Sequence, residues 1–119
     1  MNWSATVAVA LALAVILGAF GAHALRPRLD DYSRGIYETA VMYHFFHALG
    51  LLIVSLLPKG GVLPQTQASW VSGLLLAGIV LFSGSLYALA VTGVTKLGVI
   101  TPLGGLLFMA GWVTLAINR

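Results

Sequence analysis

Of 119 residues, 60% are hydrophobic and 8% charged, against roughly 45–50% and about 25% in a typical soluble domain, so a soluble fold of this size has no interior large enough to hide the apolar surface. The formal charge of +3 comes from six Lys and Arg that form no run; this excludes the basic footprint of a nucleic-acid binder and leaves those charges to set orientation in a membrane. Cys is absent, which excludes disulfides, thiolate catalysis and Cys-ligated metal.

A bilayer core about 30 Å thick is crossed by about 20 mostly apolar residues at 1.5 Å rise each. The chain has room for four such passes, predicted over residues 4–25, 34–57, 69–91 and 97–117. The expectation is an all-α, four-helix transmembrane bundle of up-down topology, one domain over residues 1–119, with the lipid bilayer as its first partner.

Trp3 stands where an interfacial aromatic anchor belongs, and the first segment runs from it to about Leu25. Ala22-His23-Ala24 fits a secretory cleavage pattern. With no Lys or Arg in Met1 to Ser4 and a long apolar run, the segment reads as a retained helix. Arg26-Pro27 ends it, and the loop to Gly35 gathers Arg26, Arg28, Asp30, Asp31 and Arg34. Asp30, Asp31 and Ser33 each qualify as N-cap of the second helix, which stops at Pro58. A Gly-, Pro- and Gln-rich loop leads to the third helix, with Trp70 as its anchor. The short connection Thr92 to Lys96 makes the third and fourth helices an antiparallel hairpin.

The fourth segment is interrupted early by Thr101-Pro102 and Gly104-Gly105. Either Thr101 is an N-cap with Pro102 at the first helical position, or the helix begins near Leu97 and kinks at Pro102. Small residues recur at helix-packing intervals, Ala10-Ala14-Gly18-Ala22 in one stripe and Ser69-Gly73-Ala77 in another. Close backbone approach through such stripes is a main source of packing energy in lipid.

Up-down topology brings one end of all four helices to the same membrane face. His23, the charged loop, Glu38, Tyr87 and Thr101 belong there, with His44, Ser83 and Ser85 roughly 10–12 Å further in at 1.5 Å per residue and Gly18 and Gly104 near that level. The expectation is a sparsely filled polar layer in one half of the bundle. His44 and His47 stand out, because ionisable side chains in a transmembrane helix face protein or water and are functional by default. Three residues apart, they point in directions about 60° apart. Against a functional role for His44 stands a structural one, a neutral imidazole bonded to Ser85, Tyr87 or a carbonyl of a neighbouring helix.

Glu38 lies about 120° from His44 and 180° from His47, which argues against a Glu-x-x-His metal site. An interfacial ion pair between Arg34 and Glu38, one turn apart, is expected instead. Bis-imidazole haem would need His23 opposite His44, and His23 lies too shallow, so neither haem nor another metal is expected. No nucleophile, general base and orienting acid stand at a readable spacing, so the reading leans away from an enzyme.

Four strings, Leu17 to Leu25 (LGAFGAHAL), Tyr37 to Leu49 (YETAVMYHFFHAL), Leu81 to Leu89 (LFSGSLYAL) and Gly98 to Leu106 (GVITPLGGL), resemble in order and over nearly the full length the YgdD-like family of small membrane proteins, found in bacteria with eukaryotic relatives. Ala24 departs from the Gly expected of the family there. The resemblance implies four transmembrane helices and no established activity. It draws attention to Gly18, Gly21, His23, Tyr43, His44, His47, Ser83, Gly84, Ser85, Tyr87, Thr101, Pro102 and Gly104.

Two functions follow as expectations. One is an accessory or assembly factor that packs against another membrane protein, or against copies of itself. The other is a membrane-embedded module that binds a small ligand, lipid or quinone, or conducts protons, through a polar layer with His44 and His47. The first is favoured, because packing explains most residues. Lys and Arg near the helix ends place both termini outside the cytoplasm, in the plasma (inner) membrane if the source is bacterial.

Overall fold

The computed structural model describes residues 3–117. It has four helices long and apolar enough to cross a membrane: helix 1 (Trp3–Arg28), helix 2 (Asp31–Leu56), helix 3 (Gln65–Thr92) and helix 4 (Thr95–Ile117). The chain is all-α, a four-helix membrane bundle, with no strand among the described residues.

Helix 1 does not stop at Leu25. Its regular part ends at Phe20, a wide turn spans Gly21–Leu25, and a tight turn over Arg26–Arg28 finishes it. Pro27 is tolerated because the first turn of a new helical segment needs no N–H there. Helix 2 starts earlier than expected, at Asp31. Asp30 is the N-cap, its carboxylate accepting the Ser33 N–H at 2.7 Å. That bond holds the Asp30 carboxyl below the usual carboxylate range. Helix 3 also starts early, at Gln65 after the extended Pro64, and contains a second wide turn over Ile79–Ser83. Gly93, at φ 73°, terminates it in the left-handed conformation that glycine adopts without a Cβ clash.

Helix 4 is broken as anticipated. A tight turn over Thr95–Val99 precedes the regular helix Thr101–Ile117. Thr101 is its first residue and no cap: its hydroxyl pairs instead with Ser85 Oγ at 2.6 Å. Pro102, second in the helix, is exposed.

Helix 2 is central, packing on helices 1 and 3, while helix 4 packs chiefly on helix 3. The core comprises Val7 and Ala10 of helix 1, Ala48, Leu51 and Val54 of helix 2, Ala68, Val71, Leu75 and Ile79 of helix 3, and Phe108 of helix 4. Trp3 ties the far end together by donating its Nε1–H to Ser69 Oγ at 3.2 Å.

The first small-residue stripe packs for most of its length: Ala10 and Ala14 are buried and Gly18 meets Val41, but Ala22 is exposed. The second stripe is one residue out of phase. A Cβ on Gly73 would meet nothing within 4 Å, whereas Ala68, Val71, Ser72, Leu75 and Gly78 are buried. Close approach is concentrated elsewhere. A Cβ on Gly104 would come within 2.3 Å of the Phe82 backbone N, one on Gly21 within 2.2 Å of the Tyr37 ring, and one on Gly78 within 2.5 Å of Phe108. Gly21 and Phe82 both lie in the wide turns, where the altered path of the helix meets a neighbour. Gly84, one of the residues to which the family resemblance draws attention, faces open space.

Candidate functional site

His44 lies thirteen residues into the 26-residue helix 2, about 20 Å from its start and deeper than the sequence suggested, because helix 2 begins earlier. It is 4% exposed. Nε2 lies 2.8 Å from the carbonyl of Ala10 and Nδ1 2.8 Å from the hydroxyl of Tyr87. A carbonyl only accepts, so Nε2 carries the proton, and the bare Nδ1 of the neutral ring accepts from Tyr87 O–H. One imidazole thereby connects helices 1, 2 and 3.

The other expected polar residues on this level are also paired with protein. Ser83, fully buried, donates to the carbonyl of Ala40 at 2.8 Å. Ser85 donates to the Phe82 carbonyl at 3.0 Å and meets Thr101. Tyr37, which the sequence reading did not select as a site, donates to the Leu17 carbonyl at 2.5 Å and packs its ring against Tyr87. Its position seven residues, about two turns, before His44 on the same face of helix 2 was the available signal. These groups are tied by hydrogen bonds, most of them between helices and one within helix 3, and not spread in the sparsely filled layer expected from sequence.

His47 and Tyr43 take no part in those bonds. His47 Nδ1 is 2.9 Å from the carbonyl of Tyr43, one turn earlier, so Nδ1 is protonated and Nε2 is a bare acceptor. The ring is stacked on Phe108 at 3.6 Å and 13°, with Tyr43 and Trp112 centred 6.0 and 5.9 Å away. Among the described residues, Nε2, the Tyr43 hydroxyl and the Trp112 indole N–H have no hydrogen-bond partner. Tyr43 is 37% and Trp112 38% exposed.

His23 is exposed in the wide turn of helix 1, away from His44. Among the described residues no three His, Asp or Glu side chains come together as metal ligands. The expected Arg34–Glu38 pair is not formed. Arg34 Nη2 reaches back to Asp31 Oδ1 at 2.6 Å, because Asp31 occupies the preceding turn once helix 2 begins there. Glu38 is exposed.

Two concavities adjoin these residues. An apolar groove of about 560 Å³ opens between helices 1 and 3, lined by Val9, Leu13, Leu76 and Val80 with His44 and Tyr87 at its inner end. A cavity of about 440 Å³ lies between the end of helix 1 and the start of helix 2; Gly18, Gly21, Val41 and Met42 contribute to its walls, with Arg26, Asp31, Arg34 and Glu38 among the lining residues. Of this lining, Gly18, Gly21, Arg34 and Glu38 are candidates legible in the sequence, whereas Arg26, Val41 and Met42 are not, because their loop and helix-face positions meet only in the fold.

Residues 17–105 match a family described as "Protein of unknown function (DUF423)". The chain is 49% identical over 107 residues to the UPF0382 membrane protein YwdK of Bacillus subtilis, covering 88% of this chain and 85% of that one. It is 47% identical over 109 residues to a UPF0382 membrane protein of Staphylococcus haemolyticus (89% and 84%), and 48% over 105 residues to one of Staphylococcus epidermidis (88% and 84%). No solved structure matches.

Proposed function

This chain belongs to the DUF423 family, and we propose that it is an accessory or assembly factor that packs within the bilayer against another transmembrane chain. The observation that carries the reading is the His47 cluster, partly exposed at His47 and exposed at Tyr43 and Trp112. An acceptor, His47 Nε2, and two donors, Tyr43 O–H and Trp112 N–H, stand side by side without partners among the described residues. His47 is sixteen residues from Asp31 on helix 2, about 24 Å along it and well within the hydrocarbon. An unsatisfied polar group there costs several kcal/mol, and intramembrane ionisable residues face protein or water. A partner helix that donates to Nε2 and accepts from Tyr43 or Trp112 removes that cost.

The alternative module for a lipid, quinone or proton has one observation in its favour, the groove between helices 1 and 3. Both His44 nitrogens are occupied, so the groove offers a slot for an apolar tail and no relay. The four quoted strings extend the family, on this reading, to the YgdD-like proteins. In a bacterial cell the membrane is the inner one, and both termini are extracytoplasmic.

A photocrosslinking residue at Met109, exposed on helix 4, tests the assembly role against one at Val9, exposed on helix 1. The expected result is a discrete adduct with a membrane protein from position 109 alone, weakened by His47→Leu. Equal labelling from both faces, or an adduct indifferent to His47→Leu, overturns it.

A further inference from the structure

We propose that the cavity between the end of helix 1 and the start of helix 2 binds the headgroup of a phospholipid carrying both a phosphate and a primary amine. The charges lining it are two of each sign, Arg26 and Arg34 against Asp31 and Glu38. They are not mutually neutralised. Arg34 is committed through Nη2 to Asp31, while its Nε has no hydrogen-bond partner among the described residues. Arg26 and Glu38 form no ion pair among the described residues, and both are exposed. The cavity therefore has one spare cation and one spare anion, the complement of a zwitterion.

Depth and wall chemistry point to a lipid. Helix 2, at about 39 Å for 26 residues, exceeds the hydrocarbon core of about 30 Å, so its opening turns lie among headgroups. Arg26 is near the end of helix 1 and Glu38 is seven residues into helix 2, about 10 Å along it. From there Gly18, Val41 and Met42 give an apolar path inward for the attached chains. Gly18 and Gly21 bring helices 1 and 2 together at the cavity wall: a Cβ at residue 18 would touch Val41 and one at residue 21 would strike the Tyr37 ring. An ammonium donates N–H bonds to the Glu38 carboxylate, whereas a trimethylated amine has no N–H and a glycerol headgroup has no positive charge. A phosphate suits the guanidinium of Arg26, with Arg34 beside it.

The test is native mass spectrometry of the purified full-length protein with phosphatidylethanolamine, phosphatidylcholine and phosphatidylglycerol of identical chains. Phosphatidylethanolamine should be retained about tenfold over the other two, the factor expected of one charge-assisted hydrogen bond. Glu38→Gln should abolish that preference while leaving lipid retention, and Arg26→Gln should weaken retention of all three. Both positions are exposed, and unchanged helicity by circular dichroism checks the fold. Absence of headgroup preference, a preference that survives Glu38→Gln, or retention indifferent to Arg26→Gln overturns the proposal. Displacement by soluble phosphoethanolamine at concentrations equal to the lipid also overturns it, assigning the cavity to a water-soluble ligand.

Discussion

His44 uses its donor on the Ala10 carbonyl and its acceptor on the Tyr87 hydroxyl, so the side chain at this position must do both. Glutamine can do so without titrating near neutral pH. His44→Gln should therefore stay close to wild type in detergent unfolding titrations, while His44→Leu loses about 1–2 kcal/mol, the range of interhelical hydrogen bonds in membranes. Equal losses for the two variants would show that the bonds do not matter. Glycines give a sharper contrast. Gly104→Ala drives a methyl into the Phe82 backbone, which cannot rotate away, and should cost about 1–3 kcal/mol as overpacking does. Gly84→Ala meets open space and should be neutral or gain up to about 1 kcal/mol from improved helix propensity. The same unfolding titration separates them.

Among the elements, helix 2 depends most visibly on its cap. The Ser33 N–H, the main cause, holds the Asp30 carboxyl below its ordinary value. A group depressed in the folded state contributes stability above its unfolded pKa and loses it as pH falls through the folded one. Amide exchange at Ser33, corrected for its intrinsic pH dependence, should accelerate only in acid. Asp30→Ala should show fast exchange already at neutral pH, and Asp30→Asn should keep the cap without the acid transition. An acid transition persisting in Asp30→Asn would assign the effect to another group. The cap also explains the Arg34 pairing: starting helix 2 at Asp31 puts that carboxylate one turn before Arg34 and leaves Glu38 to the cavity.

For the whole molecule, the longest dimension is 47 Å and the others 26 and 19 Å, a length suited to a bilayer of about 40–45 Å including headgroups. Arg26, Arg28, Arg34 and Lys96 lie near helix ends on one side of the bundle, whereas Lys59 lies in the connection on the other; Arg119, near the same side by sequence, lies outside the described residues. The positive-inside rule predicts that the first end is cytoplasmic. A reporter fused after Arg119 should be active only when it functions outside the cytoplasm, and a cytoplasmic signal would reverse the orientation.

Number and type of the helices were legible in the chain because a span is set by a local quantity, consecutive apolar residues against bilayer thickness, whereas their ends, set by caps and turns, were not. The break at Thr101-Pro102 was legible for the same local reason. Which side of each helix packs was not. Ser69-Gly73-Ala77 has the right spacing but misses the interface by one position, and about 100° per residue turns one position into another face. The wide turns alter the helical path, and no hydrophobic period announces them. Likewise the sequence nominated His44 and His47 together. Only tertiary structure separated them, closing His44 between Ala10 and Tyr87 and leaving the acceptor nitrogen of His47 without a partner among the described residues, because hydrogen-bond satisfaction depends on which neighbouring helix comes within about 3 Å.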